Sequence, residues 1–207
     1  MDVMQSTEAQ APAQHAARGD RVARTREAII SSTLTLAQDG EVSPIVRDIA
    51  KLAGVSARSV FQHFADTAEL YVAVLGRVMK SLLGEAPELN RQWPLDQRIG
   101  VVVDQRAERY ETVRPMWTFL QTLQRRSADA AAKLLQVYAG NRDQISDSFG
   151  PELSALPGEK RERTLNALNV ALTPETWIVL RERLGLTVEQ AREEWRFIVK
   201  AIFSDHH

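Results

Sequence analysis

Apolar residues recur along most of this chain at intervals of three and four positions, the spacing that places them on one face of an α-helix. No segment shows the strict alternation of apolar and polar residues that is typical of a half-buried strand. The sequence also contains no tandem repeat and no heptad array. The pattern therefore predicts an all-α protein, whose helices are separated by turns rich in Gly and Pro.

Breaks in this pattern divide the chain into four parts. Residues 1–17 are rich in Ala and Gln and have no periodic apolar face, so we expect a disordered tail. Residues 18–66 are predicted to form a small domain of three helices, and residues 67–83 a helix that leads out of it. A segment rich in helix breakers follows, and residues 84–207 are predicted to form a second, larger helical domain.

Within the first domain, the segment 45–64 contains two short helices joined by a very tight turn. The first helix is predicted to begin with Ser43 as its N-cap and Pro44 in its first helical position. Gly54 can adopt the left-handed backbone that ends this helix, and Ser56 can cap the next one. Two helices in this arrangement form a helix-turn-helix, whose second helix can enter the major groove of DNA.

The second helix of this pair turns hydrogen-bonding side chains outward near its N-terminus. Arg58 pairs best with guanine O6 and N7, and Gln62 with adenine N6 and N7. Ser59 is a third candidate for reading bases, and Arg47 on the preceding helix can reach a phosphate or a flanking base. The residues predicted to face inward are Val60, Phe61 and Phe64.

The segment from about Arg24 to Leu75, which contains these two helices, resembles the DNA-binding domain of the tetracycline-repressor (TetR) family of bacterial transcriptional regulators. The matching series is Ile49-Ala50, Ala53-Gly54-Val55-Ser56, Val60-Phe61, Phe64 and Glu69-Leu70. The resemblance implies a sequence-specific regulator that binds a palindromic operator on double-stranded DNA as a homodimer. It further implies a repressor that a small-molecule effector releases.

Four positions depart from the family's pattern. Phe61 and His63 stand where the family usually has two tyrosines, so Phe61 should only pack, whereas His63 can still donate to a phosphate. Ala57 and Thr67 stand where lysines are common, which predicts weaker electrostatic anchoring to DNA. The arginines that can offset this loss lie at the start of the first helix, at Arg18, Arg21, Arg24 and Arg26.

The last helix is apolar around most of its circumference. Such a helix must be covered on two sides, and a second subunit is the simplest cover for the side that its own domain does not fill. The resemblance points the same way, because the family generally dimerises through its last two long helices. The predicted interface residues are Leu165, Leu168, Leu172, Val188, Trp195, Ile198, Val199 and Ile202. The alternative is a central core helix in a monomer.

The second domain shows no detailed chemical motif. The resemblance implies a helical sensor in which a small molecule binds between helices and changes the spacing of the two DNA-binding domains. The aromatic residues that can line such a cavity are Tyr110, Trp117, Tyr138 and Trp177, with Arg125 and Arg126 near enough for an anion. Aromatic residues at helical spacing can equally be core residues.

Composition limits the remaining possibilities. A net charge of −1 means that any DNA contact must come from a local basic patch. The absence of cysteine excludes disulfides and thiolate chemistry, and it suits a reducing cytosol. No apolar run approaches the roughly 20 residues of a membrane span, and the N-terminus lacks a signal-peptide core. We therefore expect a soluble, cytoplasmic protein without metal or cofactor.

Other classes of protein stay open at this point. An enzyme is disfavoured because the four histidines lack metal-ligand spacing and the chain has neither a phosphate-binding loop nor a nucleophile elbow. A non-specific architectural DNA binder should be basic, whereas residues 18–66 carry nearly equal numbers of basic and acidic side chains. A helix-turn-helix that binds protein, or a plain helical hairpin, would show no salt-sensitive affinity for DNA.

Overall fold

The computed structural model describes residues 10–84 and 88–204, and over these residues every regular element is helical. The prediction of an all-α fold is therefore confirmed. None of the described helices is both long and apolar enough to cross a bilayer. The helices are α1 (Gln10–Gln38), α2 (Val46–Leu52), α3 (Ala57–His63), α4 (Thr67–Leu83), α5 (Leu95–Val113), α6 (Trp117–Arg126), α7 (Ala128–Ser148), α8 (Gly150–Ser154), α9 (Gly158–Ala171), α10 (Pro174–Ile178) and α11 (Val188–Ser204).

Helix α1 begins earlier than its apolar pattern predicts. Its first residue is Gln10, so residues 10–17 of the expected disordered tail have a helical backbone. Alanine has the highest helix propensity, and an Ala-rich segment can extend an existing helix without an apolar face of its own. The rest of the expected tail, residues 1–9, lies outside the described residues.

The start of helix α2 corrects the predicted cap. The helix begins at Val46 with Ile45 as its N-cap, and no side chain caps it. Ser43 and Pro44 instead belong to the preceding loop, where the carbonyl of Pro44 accepts a hydrogen bond of 2.6 Å from the hydroxyl of Tyr71. This contact from α4 holds the loop outside the helix, which is why the local cap signal failed.

Helix α4 connects the two domains. Asp66 caps it by accepting from the N–H of Glu69 at 2.8 Å, and the Glu69 carboxylate accepts from the N–H of Ala65 at 2.7 Å. The pair resembles a capping box, except that Glu69 accepts from the residue before the cap and not from the cap residue itself. One part of the helix packs against α1, and the other packs against α5 and α7. The buried residues of α4 belong to one apolar core that continues from the N-terminal helices into the C-terminal ones.

The second domain packs α11 against α5 and α9, and α7 against α4, α6 and α9. Its centre holds Trp195, whose ring centroid lies 4.6 Å from that of Trp177 and 5.9 Å from that of Tyr110. A buried guanidinium closes one end, since Arg98 on α5 pairs with Glu152 on α8 and donates to the Ser148 carbonyl at 2.8 Å. The domain is therefore a packed helical core with buried polar ties between its helices.

Candidate nucleic-acid interface

The turn between α2 and α3 has the geometry that the sequence predicted. Gly54 has φ = 67°, and the next N–H, that of Val55, donates back to the carbonyl of Ala50 at 3.0 Å. This bond closes the C-terminus of α2. Ser56 then caps α3, because its Oγ accepts from the N–H of Ser59 at 3.1 Å. Local hydrogen bonds thus set the direction in which α3 leaves the turn.

Removing the Ser56 cap tests this local geometry. We expect Ser56→Ala to lower the free energy of unfolding by about 1 kcal/mol, because the N–H of Ser59 loses its acceptor. Urea denaturation measures the change. Ser56→Asp, which keeps an acceptor at the cap, is the matched control and should retain wild-type stability to within a few tenths of a kcal/mol. Equal destabilisation by both substitutions would contradict a capping role.

One face of α3 is free of the protein core. Val60 and Phe64 anchor the helix inward, whereas Ala57, Arg58 and Gln62 are exposed. Arg58 and Gln62 lie four residues apart and so share one side of the helix. Within the described part of the chain neither side chain makes a hydrogen bond or ion pair. Both are therefore available for a partner outside the chain.

The structure corrects the predicted packing of Phe61. Its side chain is 51% exposed and stands on the outward face, one turn after Ala57. The inward positions of so short a helix are filled by Val60 and Phe64, and the ring of Phe61 remains at the surface. An exposed phenyl ring beside hydrogen-bonding residues can contact a thymine methyl group. Ser59 and His63 flank this face and are partly buried.

Three arginines predicted to reach DNA differ in their surroundings. Arg47 on α2 is largely exposed, and its only partner among the described residues is the adjacent Asp48, at 3.2 Å. Arg24 on α1 is also exposed. Arg26 is instead held by the protein: its guanidinium carbon lies 4.4 Å from the centre of the Phe64 ring, and its nitrogen lies 3.9 Å from Glu69. Arg26 therefore ties α1 to the junction of α3 and α4.

Thr67 lies at a junction rather than on the outward face of α3. It is the first residue of α4, and its side chain lines a cavity of about 250 Å³ together with Tyr71 and Arg126. We call this space the junction cavity, because its walls come from both domains. Thr67 therefore lines this cavity, whereas the lysine that the family commonly has at this position would contact a DNA phosphate.

The four aromatic residues predicted to line an effector cavity lie mostly in the core. Tyr110 and Trp177 are fully buried, Trp117 nearly so, and Tyr138 is partly buried with its hydroxyl donating to Glu175. Trp177 donates from Nε1 to Glu111 at 2.9 Å. Burial raises the pKa of Tyr138 above its ordinary value, and the bond to Glu175 raises it further. Tyr110 and Trp177 are therefore core residues, which is the alternative that the sequence left open for these aromatic side chains.

Arg106 is a buried charge that the sequence reasoning missed. It is 3% exposed, and its hydrogen bonds within the described residues go to neutral oxygens. These are the Tyr110 hydroxyl at 3.0 Å and the carbonyls of Leu172 at 3.4 Å and Asn141 at 3.3 Å. A signal existed, since an arginine occupies the apolar stripe of α5 between Val103 and Tyr110.

Near Arg106, several buried polar atoms have no hydrogen-bond partner among the described residues. They are Asn141 Oδ1, Glu175 Oε2 and Trp195 Nε1. Unpaired buried polar atoms are costly and uncommon in folded proteins. The Asn141 carbonyl accepts from Arg106, Trp195 packs edge-on against Tyr110, and Glu175 accepts from the Tyr138 hydroxyl. The interior of the second domain therefore contains, within its apolar core, polar groups with unused hydrogen-bonding capacity.

Five of the eight residues predicted for the dimer interface lie inside the subunit, and the interface itself stays a prediction. The structure places Leu165, Leu168, Leu172, Trp195 and Val199 in the core of the subunit itself. Val188, Ile198 and Ile202 are only partly buried. The most apolar stripes of α9 and α11 pack against their own domain, where they remove the most apolar surface from water. The outward faces carry Val170 and Phe197, which are 69% and 68% exposed.

Comparisons with known proteins agree with this architecture. Residues 29–74 match the family model of bacterial regulatory proteins of the tetR family. A solved tetR-family transcriptional regulator from Streptomyces coelicolor is 20% identical, with a TM-score of 0.65 over 86% of this chain and 80% of that one. A transcriptional regulator from Rhodococcus sp. Rha1 is 16% identical, with a TM-score of 0.66 over 89% of this chain and 96% of that one. No curated protein sequence matches the chain.

Proposed function

We propose that the chain is a transcriptional regulator of the TetR family, and that it acts as a homodimeric repressor that leaves a palindromic operator when a small molecule binds. The main support for this proposal is the arrangement of side chains on the outward face of α3. Arg58 and Gln62 lie side by side there, exposed and without partners in the described chain. Ser56 and Gly54 hold the helix at a set angle to α2. Side chains so placed can reach base edges in a major groove.

In this proposal one group of side chains contacts the DNA bases and another group contacts the phosphates. Arg58, Gln62 and Phe61 face the bases, while Arg47, Arg24 and His63 contact phosphates at the edges of the groove. Phosphate contacts position the domain but carry no sequence information. Because Ala57 and Thr67 supply no charge, each subunit makes few ionic contacts, and the affinity for DNA depends only moderately on salt.

Dimerisation supplies the second half of the recognition surface. One short helix reads only a few base pairs, whereas two related by a two-fold axis read an inverted repeat. We place the dimer contact on the outward faces of α9 and α11, around Phe197 and Val170. These two helices pack against each other, and each has one of the two side chains on its exposed side. Exposed apolar surface of this kind is typical of interfaces.

The effector acts through the second domain. Arg106 and the unpaired polar atoms of Asn141, Glu175 and Trp195 are groups that a polar ligand can satisfy. Tyr110, Tyr138 and Trp177 surround them, and Trp117 lies where α6 begins. A ligand that separates these helices changes the position of α4, which packs on α5 and α7. The two DNA-binding domains then no longer match the spacing of the operator.

Arg58→Ala tests the assignment of base reading. Selection from a random pool of DNA duplexes should yield an inverted repeat for the wild-type chain. On that sequence we expect Arg58→Ala to cost about 1–3 kcal/mol of binding free energy and to relax the preference at one base position of each half-site. Fluorescence anisotropy on the selected duplex and on single-base variants measures both effects.

Arg47→Ala is the matched control, because it removes the same charge from the adjacent helix. It should weaken binding to all sequences alike and reduce the slope of log K against log salt by about one for each subunit. Selection that returns no inverted repeat would overturn the proposed function. An Arg58→Ala variant that loses affinity equally on every sequence would overturn only the base-reading role.

A further inference from the structure

The junction cavity lies between the DNA-binding domain and the second domain. One wall is formed by the loop before α2 and the start of α4, through Ser43, Thr67 and Tyr71. The opposite wall is formed by the end of α6 and the start of α7, through Thr122, Arg126 and Ser127. Its volume of about 250 Å³ approaches the range of small-molecule sites. A molecule in this space touches both domains at once.

The polar groups that face the cavity are mainly donors. Arg126 makes no ion pair or hydrogen bond within the described part of the chain. Ser127 Oγ accepts from the N–H of Ala130 at 3.2 Å, which leaves its own hydrogen available, and the Thr67 hydroxyl has no partner among the described residues. No carboxylate is found among the described residues that line the space. A cavity that offers a guanidinium and hydroxyl donors, with no carboxylate among its described lining residues, favours an anionic ligand.

The rest of the lining is apolar. Val42, Val72 and Leu123 face the same space, and Val42 is an exposed large hydrophobic side chain. Inorganic phosphate would use Arg126 but leave this surface uncovered. A compound with one anionic end and a small apolar body fits both parts of the lining, because the body removes apolar area from water.

Tyr71 makes the cavity sensitive to the relative position of the domains. Its hydroxyl donates to the Pro44 carbonyl in the loop before α2, and its ring packs edge-on against Phe119 of α6 at a centroid distance of 5.4 Å. The same side chain lines the cavity. A ligand that presses on Tyr71 and pairs with Arg126 therefore joins the helix-turn-helix to α6 directly, separately from the interior around Arg106.

From this geometry we infer that the junction cavity is a binding site for a small apolar carboxylate, with Arg126 as its counter-ion, and that occupancy changes the affinity for DNA. The binding step stands by itself, whereas the effect on DNA rests on the proposed function. The site differs from the Arg106 cluster in position, in exposure and in the elements that form it.

Ligand titration of the full chain tests the binding step. Benzoate serves as the probe, with benzyl alcohol as its neutral analogue and inorganic phosphate as an anion without an apolar body. Chemical-shift changes in amide NMR spectra measure each dissociation constant. We expect benzoate to bind at least about tenfold more tightly than either comparison compound, since only benzoate uses both the guanidinium and the apolar lining.

Variants locate the site. Arg126→Gln should weaken benzoate binding by about tenfold or more, whereas Arg125→Gln, which removes the neighbouring charge outside the lining, should leave it unchanged. Val72→Phe, which fills part of the space, should also weaken it. Equal affinity in wild type and Arg126→Gln, equal affinity for benzoate and phosphate, or no benzoate binding would each overturn the site.

The regulatory step has its own readout. Saturating benzoate should change the affinity of the wild-type chain for its selected duplex by at least about fivefold. The affinity of the Arg126→Gln variant for the same duplex should be the same with and without benzoate. An unchanged wild-type affinity overturns the coupling, even where the site itself binds benzoate. If no duplex is bound specifically by any form of the chain, the proposed function fails, while the titration still decides whether the cavity binds the carboxylate.

Discussion

Phe197→Glu is expected to convert the proposed dimer into monomers and thereby to abolish tight binding to an inverted repeat. Phe197 is 68% exposed on the outward face of α11, where the proposed interface lies. In a two-fold interface the substitution occurs twice, so two carboxylates are desolvated near each other, at a cost of several kcal/mol. The dimer dissociation constant should rise by about a thousandfold or more. Sedimentation velocity over a range of concentrations measures it.

Leu135→Glu is the matched control for this experiment. Leu135 is 65% exposed on α7, outside the surface formed by α9 and α11. The same change of an exposed apolar residue to glutamate should there leave both the dimer and DNA binding intact. If Phe197→Glu stays dimeric while Leu135→Glu dissociates, the interface lies on α7. If the wild-type chain sediments as a monomer, the dimer proposal fails.

Trp195→Ala is expected to lower the free energy of unfolding by about 3–5 kcal/mol, because it removes a fully buried indole and leaves a cavity. The side chain fills the space between Trp177 and Tyr110 at the centre of the second domain. Guanidinium denaturation, followed by circular dichroism, measures the loss. Leu135→Ala, an exposed truncation elsewhere in the domain, should stay within about 0.5 kcal/mol of the wild type.

The same experiment separates two possible roles of Trp195. The apolar pattern of the last helix predicts an interface residue, whereas the structure places the ring inside the subunit. A Trp195→Ala chain that dissociates into stable, folded monomers would support the interface and contradict the structure. Loss of folding cooperativity, or a large loss of stability at concentrations where the subunits are already monomeric, supports the core position.

Signals that act over a few residues predicted the DNA-binding domain well. Gly54 and Ser56 occupy the positions that their sequence contexts indicate, because a cap or a left-handed turn is satisfied by backbone groups three to five residues away. The predicted Ser43 cap failed for the opposite reason, because a distant contact decides the conformation of its loop. Its loop is held by Tyr71, 27 residues beyond Pro44, and no local pattern contains that hydrogen bond.

The sequence predicts where helices occur more accurately than which face of each helix packs inward. Phe61 and Val60 are adjacent apolar residues, and only the packing of α3 on α1 and α2 shows that Val60 is inside and Phe61 outside. For α11 the difficulty is greater, since apolar residues occur around most of the helix. Trp195 and Phe197 both fit an interface by composition, yet one is fully buried in its subunit and the other is exposed.

The sequence by itself determined the all-α class, the helix-turn-helix and its outward hydrogen-bonding residues, since these depend on short-range periodicity and on capping bonds between near neighbours. Only the tertiary structure decided which apolar stripe each helix turns inward, that Arg106 is buried among neutral oxygens, and that Thr67 and Arg126 line one cavity. Those facts depend on contacts between residues tens of positions apart. Such contacts form only when the helices pack together, and a linear pattern does not contain that arrangement.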